Sequence, residues 1–326
     1  MYPDLADVEA LECEAWGRLR ALSFGGGQFR AARSTFDTYS ARALTGPLRR
    51  MRALRELKLH DSVHFDAATA LLFIASIAKA APHLRALTLT SANLTPEAAR
   101  ALAETGWRLD ELDLSSNPKL GPAGFAALLA APTYAIRRLA LRRCFLTTAS
   151  LQSLVDAAWP LEELDVSENE FHGDAVGPAL TALSQRHNLR RLDMGECMLS
   201  AASFKALVEA TWPALTFLGA AAAQATFDGP DALGAAAFAG FPALEELDLS
   251  YVPMRAAGAA LLGRRRWARL KKLDLCGARL DDAGVEALSR GAWPALEVLD
   301  VRPGGPQTGV TVDGVRRWAP ALVELR

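Results

Sequence analysis

The chain has 326 residues, of which 51% are hydrophobic but only 7% aromatic, and 36 Lys and Arg against 37 Asp and Glu leave a net charge of −1 at pH 7. A balance so close to neutral excludes bulk attraction to nucleic acid or to an anionic membrane, so any charged partner has to be recognised through local patches. A core of Leu and Ala with few rings suits small coils stacked in one dimension better than it suits an enzyme pocket.

In chain order, residues 1–53 read as a partial repeat with an irregular basic insertion, and 54–326 as one regular array. Asp4, Asp7, Glu9, Glu12 and Glu14 stand where a secretory leader or transit peptide carries basic and apolar residues, which predicts a cytoplasmic protein. Half a repeat, Leu5 to Ala15, precedes the first full signature at Leu19, and an insertion running from Gly25-Gly26-Gly27 to Arg50 separates that signature from the next. From Trp16 to Arg55 nine Arg face a single acid, Asp37, so the insertion is either a basic docking loop or a solvated, partly mobile segment. His60 and His64 with Asp61 and Asp66 are metal-like in composition, but the spacing is loose and no third clear ligand follows, so no metal or cofactor is expected. The apolar stretch Ala67 to Ala78 is about half the ~20 residues that cross a bilayer and reads as a buried helix.

The pattern Leu-x-x-Leu-x-Leu then organises the chain. It starts at Leu19, Leu54, Leu84, Leu109, Ile136, Leu161, Leu189, Leu215, Leu244, Leu270 and Leu296, with a truncated copy at Leu322. The ten intervals from Leu54 to Leu322 cover 268 residues, a mean period of 26.8. In Leu84-Arg85-Ala86-Leu87-Thr88-Leu89, alternation puts Leu87 and Leu89 on the inner face of a short strand and Ala86, Thr88 and Thr90 on the outer one. Asn93-Leu94-Thr95 is formally a glycosylation sequon, but it reads as a turn leading to Thr95, placed to cap a helix with Pro96 in its first turn. Thr147, Ser200 and Asp281 recur at the same offset. The seven Trp (Trp16, Trp107, Trp159, Trp212, Trp267, Trp293 and Trp318) all precede a signature by two to four residues, which assigns them to the corner between helix and strand. Cys144 and Cys197 share the ninth position two repeats apart, or ~10 Å at strand spacing, too far for a disulfide; reduced thiols are expected.

With Asn or Cys at that ninth position (Asn117, Cys144, Asn169, Cys197) and full helices such as Leu280 to Leu288, the chain resembles the ribonuclease-inhibitor-like class of leucine-rich-repeat proteins over residues 54–326. Ser62, Ala92, Val252 and Ala278 depart from the pattern at the turn. The resemblance implies an α/β solenoid, a curved horseshoe with parallel strands on the concave face and helices on the convex face, that binds macromolecules and carries no catalytic residue. It also admits a signalling role as a regulatory receptor, either a substrate-recognition arm of a ubiquitin ligase or a GTPase activator. At the C-terminus, Leu322 to Arg326 stops inside a signature and is expected to leave an uncapped strand.

Third, fifth, seventh and eighth positions should face outward. At the fifth, Asp113, Asp165, Asp193, Asp248, Asp274 and Asp300 form an acidic stripe, either a partner site or a structural habit of the repeat. Repeat five interrupts it with Arg138, Arg142 and Arg143, which either pair laterally with Glu111, Glu163 and Glu168 or anchor a partner's carboxylate or phosphate. Phe217 and Tyr251 add outward aromatic candidates. Repeat eight, from Leu215 through Ala220 to Ala223, is short of large inward residues and is either a flex point or tolerated drift. The run Gly263-Arg264-Arg265-Arg266 with Arg269, Lys271 and Lys272 reads as the cationic end of a helix. No P-loop, His-Glu-x-x-His, Gly-x-Ser-x-Gly or Cys-x-x-Cys occurs, so the sequence predicts a non-catalytic module that binds a protein partner on its concave face, with nucleic acid and membrane not expected as partners.

Overall fold

The computed structural model describes residues 18–25, 51–60, 65–157, 159–173, 175–186, 188–225, 232–302 and 324–325. The half repeat before Leu19, the Arg-rich insertion over 26–50, Asp61 and His64, Trp16, Trp318 and Leu322 lie outside them. The chain divides into two compact units, Met1–Pro160 and Leu161–Arg326.

In the first unit, strands β1 (Ala21–Gly25), β2 (Glu56–His60), β3 (Ala86–Leu89), β4 (Glu111–Asp113) and β5 (Arg138–Ala140) pair in parallel in chain order. Helices α1 (Ala67–Ala80), α2 (Pro96–Ala103), α3 (Gly121–Leu129) and α4 (Thr148–Asp156) follow β2 to β5. The second unit repeats the scheme with β6 (Glu163–Asp165), β7 (Arg191–Asp193), β8 (Phe217–Gly219), β9 (Glu246–Asp248), β10 (Lys272–Asp274), β11 (Val298–Asp300) and β12 (Glu324–Leu325), again parallel and sequential. Its helices are α5 (Val176–Arg186), α6 (Ala201–Glu209), α7 (Arg255–Gly263) and α8 (Asp282–Ser289). Among the described residues no helix is long and apolar enough to cross a membrane.

Within each unit the register makes the fourth residue of a signature meet its counterpart, as in Leu57 with Leu87 and Leu247 with Leu273. Leu112, Leu139, Leu164, Leu192, Leu218 and Leu247 are all buried in the core. Helix starts obey their caps: Thr95, Ser200 and Asp281 each accept the backbone N–H three residues on, and Thr147 forms a reciprocal capping box with Ser150. The ninth position is a buried ladder. Asn117 Nδ2 donates to the Leu89 carbonyl at 2.8 Å, Cys144 Sγ to Leu114 at 3.2 Å and Cys197 Sγ to Val166 at 3.0 Å, each reaching the previous repeat. Burial pushes the Cys197 thiol up to about 12, so it stays protonated and serves as a donor.

The tryptophans close the helix-to-strand corner. The indole N–H of Trp212, Trp267 and Trp293 donates to the carbonyl five residues back (Leu207, Leu262, Leu288), capping the end of α6, α7 and α8. Trp107 donates to Ala81 instead, and Trp267 stacks on Trp293 with centroids 6.1 Å apart.

Among the described outward positions Ala86, Thr88, Ser167, Gly195, Gly219 and Asp300 are buried, contrary to the sequence expectation. Ala86 and Thr88 are buried, because these short side chains lie in register between Glu56 and Lys58 on one strand and Glu111 and Asp113 on the other. Asp300 is buried because the Arg302 guanidinium folds over it, with Nε 3.0 and 2.9 Å from its two oxygens. In repeat eight, among the described residues, a turn at 235–240 stands where other repeats place a helix, and Phe238 fills the core against Trp267. The inward Ala220 and Ala223 are buried there as well.

Candidate functional site

The sheet face away from the helices, and the turn by which the chain leaves each strand, carry the outward side chains of the signature. Their geometry starts with the backbone. At the eighth position the chain is left-handed in every described repeat from Ser91 to Gly277, with φ of 55° at Ser91, 53° at Arg143, 58° at Ala222, 59° at Tyr251 and 70° at Gly277. The residue there donates its N–H to the seventh-position carbonyl of the next repeat, as in Ser116 to Arg142 and Tyr251 to Cys276. The left-handed residue is thus the hinge that carries the inter-repeat ladder past the end of the strand.

All six aspartates of the stripe have the same local partner. Asp113, Asp165, Asp193, Asp248, Asp274 and Asp300 each accept through Oδ1 the backbone N–H two residues on, at 2.9 to 3.1 Å. A carboxylate at the fifth position therefore holds the turn that the eighth position completes. Stacking the charges has a cost. Burial, with repulsion from Asp165 and Asp248, holds Asp193 above the usual carboxylate range, against the Gly195 N–H and Arg191, which pull it down. Asp274 is raised in the same way by burial and by Asp248 and Asp300.

At the third position, charges pair across strands. Arg138 forms an ion pair with Glu111, and Lys272 meets Glu246 at 3.1 Å. One position earlier Lys271 meets Glu245 at 2.6 Å, so much of the basic run after α7 is engaged laterally, while Arg265 caps the carbonyls of Ala235 and Ala237. Arg191 lies over Phe217, its guanidinium carbon 3.5 Å from the ring centroid and Nη2 3.8 Å from Asp193. In the first unit Arg142 and Arg143 are exposed on the turn beside Phe145. In the second, Tyr251 and Met198 are exposed.

Elsewhere, a shallow groove between α5 and α6 is lined by small residues such as Gly177, Ala202 and Ala206. Among the described residues no group of three or more His, Cys, Asp or Glu is placed to hold a metal ion. Of the His and Asp cluster near residue 64, Asp66 caps α1 by accepting from Thr69.

A chain of the yeast Rad7 and Elc1 complex superposes on 92% of this chain and 81% of its own length with a TM-score of 0.53 at 15% identity, a likeness that establishes the fold. A chain of the TLR13-ssRNA13 complex matches 87% of this chain but only 36% of its own length, with a TM-score of 0.45 and 20% identity. The sequence model of the Leucine Rich repeat family matches residues 80–103, the end of α1, β3 and α2, which amount to one full turn of the array. The chain has the leucine-rich-repeat fold. No curated protein matches it in sequence. In this leucine-rich-repeat fold the signature positions bring Arg138 to Glu111, Arg191 to Phe217 and Asp193 to the edge of Gly219. Phe145 and Met198, both at the tenth position with φ near 50°, escape a reading that follows only outward strand positions. The signal that finds them is an apolar residue directly after the buried Cys at the ninth position.

Proposed function

We propose that this protein is a non-catalytic protein-interaction module that grips a protein partner with the outer sheet face and strand-exit turns. The observation that carries this reading is the distribution of exposed large apolar side chains. Among the described residues five are exposed, and three of them, Phe145, Met198 and Tyr251, lie on the strand-exit turns. Large rings and thioethers left in water beside arginines are what protein interfaces bury as anchors. In the first unit Arg142 and Arg143 precede Phe145 on the same turn and supply the charged part of the anchor. The aspartates contribute by holding the turns rigid, so that the anchors are presented without loss of loop entropy. The period near 27 residues and the full helices support placing the array in the ribonuclease-inhibitor-like class, and thiols buried as hydrogen-bond donors support a reducing, cytoplasmic setting.

The test is capture from lysate with the intact chain immobilised, beside Arg142→Glu/Arg143→Glu, at two salt concentrations and with folding checked by circular dichroism. A partner held by the parent protein and lost by the reversal supports the reading; a partner held equally by both overturns the Arg anchor. The alternative, a regulatory receptor such as a ubiquitin-ligase substrate arm or a GTPase activator, draws support from the fold shared with a chain that was solved in a complex, Rad7 and Elc1. Acceleration of hydrolysis across a panel of small GTPases reports on the activator form.

A further inference from the structure

The helix-to-strand corner that closes repeat nine carries a charge that its neighbours lack. Residues 255–272 hold seven Lys and Arg and no acid, in a chain whose overall charge is −1. Lys271 is paired with Glu245 and Lys272 with Glu246, and Arg265 turns inward to the carbonyls of Ala235 and Ala237. Arg264, Arg266 and Arg269 are left exposed. Among the described residues no hydrogen bond or ion pair engages the side chain of Arg264 or Arg266, and Arg269 adds a through-space pull on Glu245, which Lys271 already holds at 2.6 Å. Helix capping does not account for these guanidiniums. At the end of α7 the Ala260 carbonyl accepts the Arg264 backbone N–H, and Leu262 accepts the Arg265 backbone N–H and the Trp267 indole N–H. At the same C-cap place α6 has Ala210 and α2 has Glu104, so the helix end requires no cation there.

The flanking corners are bare by construction. Trp212 donates its backbone N–H to Gly240 and Trp267 donates its own to Ala292, so Gly240 and Ala292 hold in repeats eight and ten the place that Arg266 holds in repeat nine. A Cβ at Gly240 would collide with the Ala210 carbonyl oxygen, and one at Gly291 would stand 2.5 Å from the Trp293 indole nitrogen. The arginines therefore rise between two low, uncharged flanks. On α8 Glu286 is taken by Arg290 at 2.7 Å, and the pull of Glu297 falls on Lys271. The half-buried Trp293 and the exposed Pro294 add an apolar rim. An apolar partner would bury the guanidiniums without compensation and a basic one would be repelled, whereas carboxylates accept the planar forks of arginine. The width of the patch separates the anionic partners. Nucleic acid draws affinity from about six to ten phosphate contacts and an anionic membrane from about four to eight cations, whereas this patch is one repeat wide. It fits a short acidic stretch of polypeptide.

We propose that Arg264, Arg266 and Arg269 form a docking surface for an acidic segment of a protein partner, whose carboxylates pair with the exposed guanidiniums. The surface lies at the entry end of the strands in the second unit, away from the exit turns, and stands whether or not those turns bind. The probe is a fluorescein-labelled Gly-Ser peptide carrying four glutamates, compared by anisotropy at low ionic strength with its lysine counterpart, a labelled oligothymidylate and phosphatidylserine vesicles. Arg264→Glu/Arg266→Glu reverses the charge and keeps the fold, because neither side chain has a partner among the described residues and Glu104 already occupies the C-cap place in α2. The expected result is saturable binding of the glutamate peptide and none of the lysine peptide, with Kd raised about tenfold by Arg264→Glu/Arg266→Glu at an unchanged melting temperature. Arg142→Glu/Arg143→Glu, in the other unit, leaves that Kd as it was. No saturable binding, equal binding of the lysine peptide, or a Kd unaffected by Arg264→Glu/Arg266→Glu overturns the assignment. Oligothymidylate or vesicles bound more tightly than the peptide, and lost on the same reversal, overturn the acidic segment as partner in favour of a nucleic acid or a membrane surface.

Discussion

At the scale of single residues, the fifth-position aspartate is where structure and recognition compete for one side chain. Its Oδ1 is committed to the turn N–H, so removing it frees a donor at the end of a strand. Asp113→Ala should cost about 1.5 kcal/mol in urea denaturation, and Asp113→Asn much less, because the amide oxygen still accepts from Ser115 at the 2.9 Å site. Asp193 behaves differently because burial, and then its neighbours Asp165 and Asp248, raise its folded value above the ordinary one. A carboxyl raised on folding binds its proton more tightly in the native state, so stability falls as pH rises through the window between the unfolded and folded values. Asp193→Asn should therefore raise the melting temperature at pH 7, and the gain should vanish as pH drops below that window. A neutral-pH loss as large as that of Asp113→Ala would refute the charge argument.

At the scale of elements, much of the repeat was legible in sequence because its determinants are local. Leu at three fixed offsets gives the strand, Thr95, Ser200 and Asp281 give the helix starts, and the Trp corner is confirmed by the indole bonds to Leu207, Leu262 and Leu288. That the Asp stripe holds the turns was not legible, because it rests on an Oδ1 to N–H distance that side-chain identity does not report. The same holds for Phe145 and Met198, whose exposure follows from a left-handed backbone at the tenth position. Close approach between elements is likewise invisible until they pack. A Cβ at Gly263, the last residue of α7, would collide with the Ala287 carbonyl oxygen of α8. Gly263→Ala should then destabilise the protein by about 1–3 kcal/mol, although the same change inside an unhindered helix stabilises it, and thermal unfolding separates the two signs. Repeat eight, with Ala220 and Ala223 in its core and a turn at 235–240, should show faster amide exchange at Ala220 and Ala222 than at the corresponding Leu249 and Tyr251.

At the scale of the whole molecule, a chain whose strands pair only with their sequence neighbours has energetics that are local in one dimension. Within the second unit, Leu247 and Leu273 face each other in adjacent strands, whereas Leu192 and Leu273 are separated by β8 and β9. Each Leu→Ala change removes a buried side chain and should cost about 2–5 kcal/mol alone. The double variant Leu192→Ala/Leu273→Ala lies across three strand spacings, ~14 Å, so its cost should equal the sum of the singles within about 0.5 kcal/mol. Leu247→Ala/Leu273→Ala share one wall of the core, and the second truncation enters a cavity the first has already opened. That pair should fall short of additivity by more than the separated pair does, as read from urea midpoints with unchanged slopes. Equal coupling in both pairs would mean that strain travels along the array, and the nearest-neighbour description of this protein would have to be abandoned.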